Sequence, residues 1–164
     1  MVRLINGVAK NKESDMDVLS KMIILATIKH SGQMCKGGKP YILHPLAVMG
    51  EVKSIDAKIV AVGHDLLEDT DATRDDLKAQ GCSEEIIQAI MALTKLKGER
   101  RVDSAHRVAS NRLACEVKLA DVAHNMNLSR LPAITDKDLN RLEEYKMVQL
   151  ILENAKNNNW NNFQ

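Results

Sequence analysis

Apolar residues recur at helical spacing along most of the chain, and this pattern predicts a succession of helices. The first predicted helix covers about 15–30, and a Ser-Gly pair follows it. Pro45 suits the first turn of a second helix. A third is expected over about 56–69. Because no segment alternates convincingly between apolar and polar residues, the predicted fold class is all-α.

Capping signals divide the middle of the chain. Thr73 and Asp76 have the spacing of a capping box at the start of a short fourth helix. Gly81 is expected to end that helix, since glycine readily adopts the left-handed conformation found after helix ends. Ser83 is the expected N-cap of a fifth helix, which carries a regular apolar stripe.

Two longer helices are predicted in the C-terminal half. The sixth spans about 104–127, and Arg112 is a place where it can break. The last runs over 136–157 and leads into an Asn-rich segment. We therefore expect one compact domain over residues 1–156 and a frayed tail over 157–164.

Composition narrows the possible partners and compartments. The chain has 164 residues, 45% of them hydrophobic but only 2% aromatic, so the core must be built from aliphatic side chains. A net charge of +1 gives no reason to expect DNA as a partner. Cys35, Cys82 and Cys115 are an odd number without CxxC spacing, which favours a reducing compartment. The first 15 residues do not resemble a signal peptide, and no apolar run suits a membrane span, so a cytoplasmic protein is predicted.

The second half of the third predicted helix concentrates titratable groups. His64, Asp65, Glu68 and Asp69 fall within six residues, and residues four apart share one face of a helix. Three crowded carboxylates repel each other unless a positive charge lies among them. A divalent cation is one remedy, because imidazole and carboxylate are common ligands. The alternative is a solvated helix end with a few acidic residues.

Two other segments carry isolated polar residues in apolar surroundings. His44 precedes the proline that opens the second helix, and it can be either a core residue or a ligand. Asp121 and Asn125 lie four apart on one face of the sixth helix. A half-buried aspartate needs a partner, which can be a cation site or a salt bridge to a lysine.

These residues match a known pattern, H…HD…D, and the chain resembles the HD phosphohydrolase superfamily. Within it, the chain is most similar to the hydrolase domain of the RelA/SpoT family and to the single-domain small alarmone hydrolases. Five blocks carry the resemblance: HSGQ at 30–33, GGKPYILHPLAV at 37–48, HDLLEDT at 64–70, ALTK at 92–95 and VKLADVAHNM at 117–126. The resemblance implies a single HD-domain helical bundle over residues 1–156.

The resemblance also implies a role for each matching residue. One Mn²⁺ would be held by four side chains, those of His44, His64, Asp65 and Asp121. Glu68 and Asp69 would position and deprotonate the attacking water. Three residues would contact the substrate: Lys36 at the pocket mouth, Asn125 at the nucleotide, and Tyr145 late in the chain. The alternatives are a solvated loop for Lys36 and helix packing for Tyr145.

The implied activity is hydrolysis of the 3′-pyrophosphate of guanosine 3′,5′-bis(diphosphate), ppGpp, or of a related purine alarmone, with a small-molecule nucleotide as the partner. Two alternatives stay open: action on another nucleotide, and nucleotide sensing without turnover. Cys35 stands where the family has an arginine that stacks on guanine, and Val122 and Asn127 replace basic residues. These departures leave the preferred base undetermined.

Overall fold

Helices dominate the computed structural model, which describes residues 16–160. The α-helices in chain order are α1 (Val18–Lys29), α2 (Leu43–Glu51), α3 (Ile55–Gly63), α4 (Leu66–Asp69), α5 (Arg74–Ala79), α6 (Glu84–Leu93), α7 (Arg101–Val108), α8 (Arg112–Met126) and α9 (Asp136–Asn159). A short 3₁₀ helix, Leu128–Arg130, lies between α8 and α9. Within residues 16–160 the β pairing is a single bridge between Met34 and Pro40, which confirms the predicted all-α class.

The predicted capping signals of the middle segment are present. Thr73 accepts a hydrogen bond from the Asp76 backbone N–H, and the Asp76 side chain accepts one from the Thr73 backbone, which completes the box. Ser83 caps α6 through its side chain. Gly81 follows α5 with φ of +88°, the left-handed conformation expected after a helix end.

The third predicted helix, 56–69, is two helices in the structure. It ends as α3 at Gly63 and resumes as α4, with a turn at His64 and Asp65 between them. The predicted start is also wrong, because the N-cap is Ser54, whose side chain accepts a hydrogen bond from the first turn of α3.

Close packing accompanies this interruption. A Cβ added at Gly63 would lie 2.8 Å from Met22 Cε and 2.9 Å from Ile90 Cδ1, so a larger residue would require these side chains of α1 and α6 to shift. Two residues later, Asp65 has φ −104° and ψ −2°, which departs from regular helix geometry. Helix α3 thus ends where side chains of α1 and α6 pack against its last residue, and the predicted ligands His64 and Asp65 follow directly.

The sixth predicted helix is also divided, at the place expected. Helix α7 begins at Arg101, three residues before the predicted start, and α8 begins at Arg112. Asn111 caps α8, because its side chain accepts a hydrogen bond from the Ala114 backbone N–H.

The first helix starts, and the last helix ends, at residues that differ from the predicted ones. Helix α1 starts at Val18 rather than near Asp15, and residues 1–15, with the expected absence of a signal peptide, lie outside the described residues. Helix α9 continues through Asn159, two residues beyond its predicted end at Asn157. Residues 161–164 lie outside the described part.

Helix α3 forms the centre of the core. It packs against α1, α2, α6 and α8, while α9 packs against α7 and α8. Fully buried aliphatic side chains surround it, and burial of each large one contributes about 1.5–3 kcal/mol. This packing brings α2, the α3–α4 turn and α8 together, and each of them carries a predicted ligand. Among the described helices, none is both long and apolar enough to cross a membrane.

Candidate metal centre and its cavity

Three buried side chains from three separate elements meet in the core. His44 lies in α2, His64 follows α3, and Asp121 lies in α8. Each offers one ligand atom, and these atoms all lie within 4.8 Å of one another. Residues of this type, gathered at this spacing, can hold a divalent cation.

Asp65 lies beside this group. Its Oδ2 is 2.9 Å from His64 Nε2 and 3.7 Å from His44 Nε2. On the other side, Asp121 Oδ1 lies 3.1 Å from His44 Nε2 and 3.7 Å from His64 Nε2. All four predicted ligands therefore converge, with two imidazole nitrogens facing two carboxylates.

The orientation of His64 fits a cation ligand. Its Nδ1 lies 2.6 Å from the Ala61 carbonyl oxygen, which can only accept, so Nδ1 is the protonated nitrogen. Its Nε2 is buried and has no hydrogen bond of good geometry among the described residues. A histidine whose Nδ1–H is held by a carbonyl directs its Nε2 lone pair at a metal, so the residues present suit such an ion.

His124 fixes the ring of His44 in a similar way. The two Nδ1 atoms lie 2.9 Å apart, so one nitrogen donates and the other accepts. Partial burial, together with the charges of His44 and Arg130, lowers the pKa of His124 and favours a neutral acceptor. His124 was not among the predicted site residues. It follows Asp121 by three residues on α8, so the two side chains lie near the same face of that helix.

Charged neighbours keep the two aspartates ionised. Burial raises the pKa of Asp121, but Lys118 and the two histidines hold it well below its usual range. Burial acts likewise on Asp65, where His64 lowers the pKa to about 2. Lys118 Nζ lies 2.8 Å from Asp121 Oδ2, so the lysine salt bridge considered as an alternative for Asp121 coexists with the ligand cluster.

Tyr41 links the ligand cluster to the predicted catalytic pair. Its hydroxyl donates to Asp65 Oδ2 at 2.5 Å and lies 3.4 Å from Asp69 Oδ2. Burial and then Asp65 raise the pKa of Tyr41, so the phenol remains a donor. Burial, Asp65 and Glu68 raise the pKa of Asp69, which makes it a better proton acceptor than an ordinary aspartate. Tyr41 was not among the predicted site residues, although it stands three residues before His44 inside the matching block at 37–48.

Glu68 and Asp69 are neighbours in α4, but they face different surroundings. Glu68 lines a cavity that opens over the ligands, and its Oε2 accepts a hydrogen bond from the Lys95 backbone N–H at 2.9 Å. Asp69 is not part of the cavity wall, and the Gln33 side chain donates to its backbone carbonyl. The predicted pair is thus adjacent to the cluster, with only Glu68 reaching the open space.

The cavity has a volume of about 360 Å³, and basic residues outnumber the four acidic ones on its wall, which are Asp65, Glu68, Asp121 and Asp138. His44, Asp65 and Asp121 lie on its wall. Six cationic residues also line it: Lys36, Lys95, Arg101, Lys118, Arg130 and Arg141. Concave basic surfaces concentrate anions, so the cavity suits a ligand with several negative charges.

The three predicted substrate residues all line this cavity, and each already has a protein partner. Lys36 Nζ lies 2.8 Å from Asp138 Oδ1, so Lys36 is not a free loop lysine. Asn125 Nδ2 donates to Asp121 Oδ1 at 2.6 Å. The Arg101 guanidinium lies 5.4 Å from the centre of the Tyr145 ring. Cys35, which marks the departure from the family pattern, lines the cavity too.

Comparison with known proteins gives a consistent group of relatives. The chain is 33% identical over 131 residues to a GTP pyrophosphokinase of Myxococcus xanthus. It is 32% identical over 128 residues to a guanosine-3′,5′-bis(diphosphate) 3′-pyrophosphohydrolase of Vibrio cholerae. Each alignment covers 70% of this chain, but the chain spans less than a fifth of the length of these curated relatives. No family model matches the chain.

A solved structure has the same fold. It is that of a metazoan ortholog of SpoT, a protein that hydrolyses ppGpp, and the TM-score is 0.68. The match covers 87% of this chain and 95% of that one, at 18% identity. At this identity the match is a likeness of fold, and it agrees with the helical architecture described above.

Proposed function

We propose that this chain, an HD-domain protein that resembles the hydrolase domains of the RelA/SpoT family in sequence and in fold, removes the 3′-pyrophosphate of a purine alarmone such as ppGpp. One observation carries the proposal: the buried cluster of His44, His64 and Asp121, with Asp65 beside it, borders a cavity lined by six cations. Such a site combines a place for a cation with a wall that attracts phosphate groups.

The first part of the proposal is a divalent cation held by His44, His64, Asp65 and Asp121. Manganese is the proposed metal because the resemblance to the RelA/SpoT hydrolase domain implies it, and imidazole with carboxylate is a common ligand set for divalent cations. When bound, the ion would lower the pKa of a water molecule and neutralise charge on the phosphoryl oxygens. The protein prepares for this by keeping both aspartates ionised and by holding both histidine rings through their Nδ1 atoms.

Glu68 and Asp69 would carry out the proton transfer from the attacking water. A water oxygen forms a new bond to the phosphorus that is attached to the 3′-oxygen, and the bond from that phosphorus to the 3′-oxygen breaks. Glu68 lines the cavity and would take the proton of the water, while the leaving 3′-oxygen gains a proton. Asp69 would assist through Tyr41, which lies near both Asp65 and Asp69. The products are pyrophosphate and the nucleoside 5′-diphosphate.

The basic wall would bind the phosphate chains. Lys95, Arg101 and Arg141 line the cavity, and arginine is well suited to paired contacts with phosphate oxygens. Tyr145 lies under Arg101 and would hold the guanidinium in place. Lys36 and Asn125 would contact the nucleotide after partial exchange of their present partners.

The residue at position 35 does not select between the two purines at the cavity wall. Cys35 lines the wall there and lacks the planar group that could stack on a base. We therefore propose that the guanine compound and its adenine counterpart are both candidate substrates. We also propose that residues 1–156 form the HD domain, and that the free thiols of Cys35, Cys82 and Cys115 reflect a reducing compartment, the cytoplasm.

The test is a turnover assay with purified protein, Mn²⁺, and either ppGpp or its adenine counterpart, with products separated by chromatography. A 5′-diphosphate and pyrophosphate in equal amounts are the expected products, and Asp65→Ala should abolish them. Arg74→Ala is the control, because Arg74 pairs with Glu84 on the surface and does not line the cavity. Tight nucleotide binding without product would instead identify a sensor, and full activity of Asp65→Ala would refute the metal assignment.

A further inference from the structure

The segment 94–99, between α6 and α7, forms a wall of the cavity through Lys95 and contacts Glu68 through its backbone. Arg107 lies behind this segment on α7 and does not line the cavity. We propose that Arg107 is a positioning residue, which holds this segment in the shape that orients the Glu68 carboxylate. This inference rests on the proposed function, since it assigns Arg107 an effect on the proposed proton acceptor.

The first step is the attachment of the segment to α7. Arg107 Nη2 donates to the Thr94 carbonyl oxygen at 2.9 Å and to Glu99 Oε2 at 3.0 Å. Its Nη1 donates to Glu99 Oε1. One guanidinium therefore binds both ends of the segment, which a planar group with several donors can do and an ammonium cannot.

The second step is the closure of the segment on itself. Glu99 Oε2 accepts a hydrogen bond from the Leu96 backbone N–H at 2.9 Å, and the Glu99 carbonyl accepts one from Lys95 Nζ at 3.3 Å. The Glu99 side chain is only 14% exposed, and its hydrogen bonds to Arg107 lower its pKa, so it remains ionised. Arg107 and Glu99 thus act as one unit that shapes the backbone at Lys95.

The third step is the contact with the site. The Lys95 backbone N–H donates to Glu68 Oε2 at 2.9 Å, across 27 residues of sequence. Helix α4 has only four residues and helix ends fray, so α4 alone leaves the Glu68 carboxylate some freedom. A fixed backbone donor removes that freedom, and a catalytic carboxylate depends on such support from the residues around it.

The experiment compares Arg107→Ala and Arg107→Lys with the wild type, and Arg74→Ala is the matched control. Arg74 also pairs with a glutamate, but on the surface and away from the cavity. We expect Arg107→Ala to lower kcat by about 10- to 100-fold, the range typical of supporting contacts around a site. Mn²⁺ affinity should stay within about 2-fold of the wild type, since Arg107 contacts none of the predicted metal ligands, and KM should rise less than kcat falls, since Lys95 is one of several basic residues on the wall. Arg107→Lys should recover only part of kcat, because lysine keeps the positive charge but lacks the planar set of donors that forms the paired hydrogen bonds.

Hydrogen exchange of the Lys95 amide gives a readout that is independent of turnover. Exchange should accelerate in Arg107→Ala, because the segment loosens, and also in Glu68→Ala, because the acceptor is lost. In the Glu68→Ala background, Arg107→Ala should cause little further loss of kcat, since two residues that act through one contact are not additive. Arg74→Ala should change none of these quantities.

The possible failures can be told apart. If Glu68→Ala keeps full activity or the wild type has none, the proposed function fails, while the exchange experiment still tests the geometric link. If Glu68→Ala is inactive but Arg107→Ala matches Arg74→Ala in kcat and in Lys95 exchange, the positioning role is refuted. If Arg107→Ala does not fold, Glu99→Gln provides the same test, and unchanged kcat and exchange in that variant would also refute the proposal.

Discussion

The hydroxyl of Tyr41 donates a hydrogen bond to Oδ2 of Asp65 over 2.5 Å. The phenol of Tyr41 thereby orients Asp65, a predicted metal ligand that lies next to the predicted catalytic pair. The same oxygen lies 3.4 Å from Asp69 Oδ2, so the two carboxylates are joined through a single neutral donor. Because burial, followed by the charge of Asp65, raises the pKa of Tyr41, this donor keeps its proton at neutral pH.

Tyr41→Phe tests this relationship with the loss of one oxygen. A hydrogen bond to a charged group contributes about 1.5–3 kcal/mol, so kcat should fall by about 10-fold or more. Mn²⁺ affinity, measured by calorimetry, should also decrease, because Asp65 loses its orientation. Tyr145→Phe is the natural comparison, since Tyr145 lies at the phosphate wall and should affect mainly KM. A Tyr41→Phe enzyme with unchanged kcat and unchanged metal affinity would show that the bond has no role.

Local sequence patterns predicted much of this fold because the responsible interactions are local. The capping box of Thr73 and Asp76, the Ser83 cap and the left-handed Gly81 each depend on residues within a few positions. The break before Arg112 could also be anticipated from the sequence. Helix existence and type follow from such signals with little help from the rest of the protein.

The interruption at His64 and Asp65 was not predicted from local patterns. It accompanies the close approach of Met22 and Ile90 to Gly63, and neither is near in sequence. For the same reason, a single helix face was a poor guide to the relative positions of the acidic residues. Local spacing assumes a regular helix, and the structure instead has a turn at His64 and Asp65.

In the candidate site, too, some features were predictable from the sequence and others were not. The four ligand residues were predicted from the sequence blocks, and the structure brings them together. The supporting partners were missed, because pairs such as Lys36 with Asp138 are 102 positions apart. Contacts of this kind depend on how α8 and α9 return to the loop before α2, which one sequence does not reveal.

Metal binding should stabilise the folded protein. A ligand that binds only the folded state adds about 2.7 kcal/mol when its free concentration is 100 times Kd. Mn²⁺ should therefore raise the Tm of the wild type in a thermal scan, and EDTA should reverse the shift. Asp121→Asn removes a charged ligand and should abolish the shift. An equal shift in Asp121→Asn and the wild type would place the ion elsewhere.

The pair of Lys36 and Asp138 should make stability depend on pH in acid. The hydrogen bond from Lys36, followed by those from Thr135, lowers the pKa of Asp138 below the ordinary value of 3.8. A carboxylate with a lowered pKa contributes stability above its unfolded pKa and loses it as the pH falls through its folded pKa. Asp138→Asn should therefore lower the Tm at neutral pH, and the difference from the wild type should shrink below about pH 4.

Asp136→Asn is the control for this measurement, since Asp136 lies in the same first turn of α9 but is exposed and is not the partner of Lys36. It should change the Tm less than Asp138→Asn at neutral pH. A difference between Asp138→Asn and the wild type that stays constant from neutral pH to about pH 3 would show that the carboxylate charge is not what stabilises the pair.

Cys35 should be the most reactive thiol among the described residues, and it can report on the cavity. Burial raises the pKa of the Cys82 and Cys115 thiols to about 11, so few thiolates form there near neutral pH. Cys35 is partly exposed and lines the cavity. Iodoacetamide should therefore modify Cys35 first, as measured by peptide mass spectrometry, and Cys35→Ser should lose the fast phase.

Because the proposed nucleotide occupies the same cavity, ppGpp added with catalytically inactive Asp65→Ala protein should slow labelling. Labelling that is equally fast with and without nucleotide, despite measured binding, would place the nucleotide away from this wall.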